Sequence, residues 1–494
     1  MFFFHYPELT DKFGHFVLKC WFAHVDISCF EDENLVPNLQ SDANCMMNII
    51  QGNPNVLLIL LDMVHIEEME LAYKALVTLK FFLRSSSNIV LTSDLLRPLL
   101  LQILQKFTIE NNAQPSKGNK NLSLVLDLLS LIQIKIGHLE EMGSIDFKLL
   151  YHVNNLAGKC KALSTELLQP ALNIFYCSLK QTSGYNRNRV VSMLLSNSSL
   201  MELLEKILEL SWSEQCTLER FPDDLVSSVW LLIGSLVQSQ TNCKSEVHRT
   251  ISLKLNKVFH FISFKKDSLT LQGCILHFLK IVLRNKFTSP LLTITNPNTR
   301  NHPLQDQDAS LYPLSYKQVL LLFIHLQNFL VQGDDFLVYA ATGCLEAMVE
   351  YLHIKDQVTL CHVMSQPWSR FLFFTMVNST HNCLFNSGFL RLSALFLKYH
   401  CKNIVFEADM KRFLQMAAEL KSEELSSNTA EALILFLKQL DLQNGKVFNM
   451  GQKDMEIIHT LLKNLQNRTS SQPDSKQIVY PFIVCTLTCQ MGDF

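Results

Sequence analysis

Glycine and proline are scarce in this chain, 15 and 14 of 494 residues, against averages of about 7% and 5%. Sandwiches, barrels and doubly wound nucleotide folds need turn residues at nearly every corner, so the shortage removes those architectures. Neither sign of charge dominates: 43 Lys and Arg stand against 45 Asp and Glu, a net of −2. No global field draws in nucleic acid or an anionic membrane. The densest basic runs, Lys265-Lys266 and Arg187-Asn188-Arg189, are too short to track a phosphate backbone and read as solvated loop charges. Long apolar runs are missing as well; residues 56–61, 229–237 and 319–326 fall well below the ~18 residues of a membrane span.

What is present is leucine, 85 residues, within a chain that is 48% hydrophobic. So much apolar material excludes disorder for most of the length and predicts an all-α fold with a large core. The fourteen cysteines form no disulfide framework, and Cys177, Cys274 and Cys344 sit in apolar stretches. They read as small buried hydrophobes of a reducing compartment. Met1-Phe2-Phe3-Phe4-His5-Tyr6-Pro7 has no basic leader, so an intracellular chain, nuclear or cytoplasmic, is expected. The sequons at Asn121, Asn197, Asn378 and Asn467 then count as chance matches.

Helical periodicity is clearest at Leu200, Leu203, Leu204, Ile207 and Leu208, with Glu202, Glu205, Lys206 and Glu209 opposite. Leu433, Phe436, Leu437 and Leu440 form a second stripe, preceded by Asn428 and Glu431 as a capping box. Short polar segments punctuate the stripes: Ser85-Ser86-Ser87-Asn88, Thr182-Ser183-Gly184-Tyr185-Asn186, Ser196-Asn197-Ser198-Ser199 and Ser426-Ser427-Asn428. An internal echo runs through the first part. Val64-His65-Ile66-Glu67-Glu68-Met69 recurs as Gly137-His138-Leu139-Glu140-Glu141-Met142, Tyr73-Lys74 as Phe147-Lys148, and Ser93-Asp94-Leu95-Leu96-Arg97-Pro98 as Thr165-Glu166-Leu167-Leu168-Gln169-Pro170, at offsets of 72–74 residues. Gly273-Cys274-Ile275 and Gly343-Cys344-Leu345 make a weaker echo that composition alone could produce.

A period near 72 is expected to hold two helical hairpins of ~36 residues. The spacing resembles the HEAT and armadillo families, which implies an α-solenoid with a concave binding surface; no unit carries a strict consensus, so the two families stay undistinguished. Pro98 and Pro170 leave either a helix that starts one turn late or a kinked one. The expected organisation is a helical-repeat segment over 1–286, a Pro/Asn-rich loop or linker over 287–316, and a second helical-repeat segment over 317–494. Phe2–Phe4 make a poor cap for a solenoid, so a partial version of a longer array is expected.

Chemistry-bearing constellations are few. There is no Walker A run and no Gly-x-Gly-x-x-Gly to cradle phosphate, and no Gly-x-Ser-x-Gly elbow. A zincin needs a second histidine where Met69 and Met142 stand. The repeated His-Leu/Ile-Glu-Glu-Met, with Glu67/Glu68 and Glu140/Glu141, reads as helix-start acids favoured by the macrodipole rather than as catalytic carboxylate pairs. Cys361-His362, His381/Cys383, His400-Cys401 and Cys485/Cys489 lack the paired knuckles of a zinc site. Phe371-Leu372-Phe373-Phe374 beside Trp368 reads as core before recognition patch. No catalytic, cofactor or metal residue is therefore assigned, and no cofactor is expected.

The stretch His5-Tyr6-Pro7-Glu8-Leu9-Thr10-Asp11-Lys12-Phe13-Gly14-His15 and the leucine-rich repeats over 56–179 resemble a vertebrate family of meiotic helical-repeat proteins. That resemblance implies support of DNA double-strand break formation and chromosome synapsis in germ-cell nuclei, acting through protein partners. The resulting expectation is a non-enzymatic scaffold that binds protein along a concave solenoid face, meiotic recombination proteins included, with no membrane and no direct nucleic-acid partner. A nucleic-acid-binding solenoid and a transport adaptor are the alternatives. The composition predicts a far-ultraviolet circular dichroism spectrum dominated by helix; a coil-dominated spectrum would contradict it.

Overall fold

The computed structural model describes residues 6–25, 45–46, 48–50, 52–53, 55–85, 93–113, 115–136, 142–160, 165–211, 221–240, 249–264, 268–295, 310–332, 335–377, 386–399, 404–419, 425–446 and 449–471. They are helical almost throughout and divide into two units, residues 1–249 and 250–494.

In the first unit the helices are α1 (Thr10–His24), α2 (Asn55–Ile66), α3 (Met69–Ser85), α4 (Ser93–Ala113), α5 (Pro115–Ile136), α6 (Ser144–Lys159), α7 (Thr165–Gln181), α8 (Gly184–Leu195), α9 (Ser198–Ser211) and α10 (Asp223–Gln240). They form two layers. Helices α2, α4, α6 and α9 are successive neighbours in the first, and α3, α5, α7 and α10 in the second, while each first-layer helix also packs on the second-layer helix that follows it. This is a stack of antiparallel hairpins. α1 packs on α2 and α3, and the short α8 is an extra helix touching α6, α7, α9 and α10.

The stripe predicted at Leu200, Leu203, Leu204, Ile207 and Leu208 is buried along α9. Its outer glutamates, Glu202 and Glu205, both accept from the Arg249 guanidinium at 3.2 Å. Second-layer helices are covered on several sides, and several of their small polar residues turn to their own backbone. Thr78, Ser178, Thr182, Ser227 and Ser228 each donate their hydroxyl to the carbonyl four residues earlier, which satisfies a buried group inside its own helix.

The repeat differs from the expected pairs of ~36-residue hairpins. First-layer helices begin at Asn55, Ser93, Ser144 and Ser198, intervals of 38, 51 and 54 residues. The 72–74 residue echo therefore steps three helices rather than four: Tyr73 lies in α3 and Phe147 in α6, while Ser93 opens α4 and Thr165 opens α7. It carries each helix into the opposite layer. The physical reason is that the echoed residues are helix-start signals, and initiation chemistry is local and the same in either layer. Pro98 and Pro170 stand inside α4 and α7, so neither helix starts a turn late. Pro170 cannot donate to the carbonyl of Glu166. Ser123 Oγ, from α5, donates to that carbonyl at 2.9 Å instead.

The second unit contains β1 (Ile251–Lys254), α11 (Leu255–Phe264), α12 (Leu269–Arg284), β2 (Leu292–Thr295), α13 (Tyr316–Gln332), α14 (Asp335–Lys355), α15 (Gln357–Met364), α16 (Pro367–Val377), α17 (Ser387–Lys398), α18 (Glu407–Ala418), α19 (Ser427–Gln443) and α20 (Gln452–Ser471). Helices α12, α14, α17 and α19 again run as neighbours in one layer; α11 packs on α13, and α18 lies between α16 and α20. The parallel pair β1/β2, Ile251 opposite Leu292, was not anticipated. Its first strand alternates buried and more open residues, the period of a strand rather than a helix.

Residues 287–316 join α12 to α13 inside this unit, and 296–309 lie outside the described residues. The chain leaves α12 through Lys286 and Phe287, both with positive φ (52° and 59°). Tyr351 of α14 holds both flanks of the connection: its ring packs edge-on to Phe287 at 5.6 Å, and its hydroxyl donates to Leu311 O at 3.0 Å. The cap of α19 lies two residues before the expected box. Ser426 accepts from Thr429 N at 3.2 Å, and Asn428, already helical, accepts from Arg391 instead.

The Gly273/Gly343 echo marks the crossing of α12 and α14. A methyl group on Gly273 would lie 2.4 Å from the Phe336 ring, and one on Gly343 would lie 2.9 Å from the Lys280 side chain. Phe336 is buried and cannot yield, whereas the end of Lys280 can swing. Gly273→Ala is therefore expected to cost roughly 1–3 kcal/mol by overpacking. Gly343→Ala should be neutral or slightly stabilising through helix propensity. Thermal unfolding of the two variants checks this; equal midpoints would contradict the close approach at Gly273.

Candidate functional site

A concavity of about 630 Å³ opens between α6 and α8. Helical spacing builds it. Phe147 and Tyr151 are four apart on α6, as are Lys148 and His152, and Tyr185 and Arg189 are four apart on α8, so each pair shares one helix face. α8 owes its direction to the turn at Thr182-Ser183-Gly184, where Gly184 has a φ of 53°, a region open to glycine without cost. Arg187, next along α8, donates its Nε to Thr182 O at 2.8 Å and fixes the helix to the end of α7.

The Arg189 guanidinium carbon lies over the Phe147 ring, 3.7 Å from its centroid, and 5.8 Å from the centroid of the Tyr185 ring. Such stacking holds the cation by the ring quadrupole and leaves its N–H edge for a planar acceptor. Tyr151 is 56% and Tyr185 74% exposed, high values for aromatic side chains. Among the described residues the cleft lining carries Lys148, His152 and Arg189 and no carboxylate. Arg187-Asn188-Arg189 is thus a stretch of helix with one arginine in the cleft, not a run of loop charges.

The other residues raised by the sequence do not converge. His65 lies in the last turn of α2, which ends at Ile66; Glu67 and Glu68 form the turn and Met69 begins α3. Glu67 pairs with Lys19, its carbonyl accepts from Lys106 Nζ at 2.8 Å, and Glu68 is exposed. No carboxylate pair is assembled there. Residues 137–141 of the second copy lie outside the described residues, as do Lys265-Lys266, His381, Cys383, His400, Cys401, Cys485 and Cys489. His362 is engaged at both ring nitrogens, by Tyr316 and Gln366, and its neighbour Cys361 is exposed. Among the described residues no group of three or more His, Cys, Asp or Glu is placed to hold a metal ion. No described helix is long and apolar enough to cross a membrane.

The aromatic run expected in the core is split. Phe373 is buried, but Phe371 is 71% and Phe374 50% exposed, because α16 is too short and peripheral to be covered all round. Trp368 and Leu372 side chains are outside the description. The described sequon amides both serve the fold: Asn121 donates to Met69 O and Asn197 to Asn154 O.

Comparison with known proteins follows the same lines. No family model matches the chain. It is 38% identical over 481 residues, 95% of its length, to mouse (Mus musculus) meiosis inhibitor protein 1. The chain is a homologue of one segment of meiosis inhibitor protein 1. The human (Homo sapiens) protein of that name is 36% identical over 482 residues, 96% of this chain. The chain spans 37% of the length of each of these relatives.

The buried cysteines give a direct check of the packing. Burial pushes the thiols of Cys177 and Cys344 up to about 12 and that of Cys160 to about 11. A raised thiol pKa keeps the group protonated, and only the thiolate is nucleophilic. Iodoacetamide at pH 8 is expected to leave Cys177 and Cys344 unlabelled until the chain is unfolded; rapid labelling of either in the native state would contradict the hairpin packing around them.

Proposed function

We propose that the chain is a non-enzymatic α-solenoid scaffold that binds protein partners in meiosis, within germ-cell nuclei, and supports DNA double-strand break formation and chromosome synapsis. The observation that carries the meiotic part is the 38% identity over 481 residues to meiosis inhibitor protein 1. The scaffold part is supported by the hairpin stack, whose interior is apolar and whose surface offers extended edges, the general plan of repeat proteins that act by binding. A catalytic reading needs convergent polar groups of perturbed acidity in a cleft, and the α6/α8 cleft offers aromatic rings and cations instead. With a net charge of −2, the chain is better suited to protein partners than to nucleic acid.

Disruption of the chain's coding sequence in the germ line tests the proposal. Spermatocytes are expected to show severalfold fewer recombination foci and unsynapsed chromosomes, with somatic tissue unaffected. Normal foci and synapsis would remove the meiotic reading.

A further inference from the structure

We infer that the α6/α8 cleft docks an acidic segment of a partner protein, with a carboxylate held by Arg189 and Lys148 and an apolar side chain laid against Tyr151 and Tyr185. This rests on the protein-scaffold reading and names the surface and chemistry that reading leaves open.

Three observations carry it. The first is how Arg189 is used. Arg249, Arg370 and Arg391 each reach a carboxylate within their own unit, through Glu202 and Glu205, Asp409, and Glu431. Arg189 instead lies on Phe147 with no ion-pair or hydrogen-bond partner among the described residues. Ring stacking restricts its rotamers, so the fork is held in place before any ligand arrives, and a planar guanidinium matches a carboxylate at two points.

The second is charge. Lys148 likewise has no acidic partner among the described residues, and the described lining includes no carboxylate. Among the described lining residues an incoming acid meets two cations and no carboxylate, whereas a basic segment meets like charge.

The third is the combination of exposed tyrosines with arginine around about 630 Å³ of concave space. Pockets of this size enclose one or two side chains, and tyrosine and arginine are the residues that most often dominate binding energy at interfaces. Two cations at one short, open cleft suit a short acidic segment. A nucleic acid strand needs a longer cationic groove.

Selection of a random twelve-residue phage peptide library on the full chain tests the inference, beside a twenty-nucleotide single-stranded DNA probe. Recovered peptides are expected to pair Asp or Glu with a neighbouring aromatic or large aliphatic residue, and to weaken at least tenfold against Arg189→Glu and Tyr185→Ala. Arg189→Lys keeps the charge without the fork and is expected to fall between. Arg189 and Tyr185 are exposed, so unchanged circular dichroism and melting confirm that the variants fold. Neutral or basic peptides, acidic peptides indifferent to the variants, or no peptide at all would each overturn the cleft assignment. If peptides bind elsewhere, the scaffold reading survives alone. If only DNA is retained, both fall.

Discussion

The structure depends on burying second-layer helices from more than one direction at once. In α10, fifteen of eighteen residues are buried, Trp230 among them, and no single partner helix can cover so much of a cylinder. Each such helix needs several neighbours; α10 packs on its hairpin mate α9, on α7 and on the extra helix α8. Stability is therefore shared between neighbours along the stack, as in other repeat arrays, rather than concentrated in one centre. The same demand explains the small details. The Ser227 and Ser228 hydroxyls bond carbonyls of their own helix, with Asn173 of α7 a second acceptor for Ser228, and Gly273 is bare because Phe336 of α14 occupies the space of its missing side chain.

The two-layer alternation of the first unit is interrupted at α8. α8 has no place in the strict two-layer pattern, and its insertion between α7 and α9 creates a concave surface along α6 that a plain hairpin would have covered. The polar residues elsewhere along the stack are mostly spent on holding neighbours. Lys80 pairs with Asp127, Gln133 bonds Gln181, and Lys180 bonds Gln238, linking α3 to α5, α5 to α7 and α7 to α10. Against that background, cations left in a cleft with aromatic rings are a departure from the structural pattern.

Some of this was legible in the residues. The stripes at Leu200–Leu208 and Leu433–Leu440 are buried as the 3.6 period requires, and Cys177, Cys274 and Cys344 are interior hydrophobes. The candidate cleft was obscured because Thr182-Ser183-Gly184-Tyr185-Asn186 looks like a turn throughout, although the helix has begun by Gly184. Reading Tyr185 and Arg189 as one helical face was the available signal. Phe371 and Phe374 misled in the other direction, since an aromatic run carries no information about which of its members a neighbouring helix will cover.

By itself the sequence determined that the chain is helical and which faces of α9 and α19 are apolar, because propensity and amphipathic spacing act within a few residues. Only the tertiary structure decided the length of the repeat, the layer each helix joins, the β1/β2 pair, and the meeting of α6 with α8. Those depend on which helices touch, and residues such as Phe147 and Arg189, 42 positions apart, are brought together by the packing of the helices that carry them.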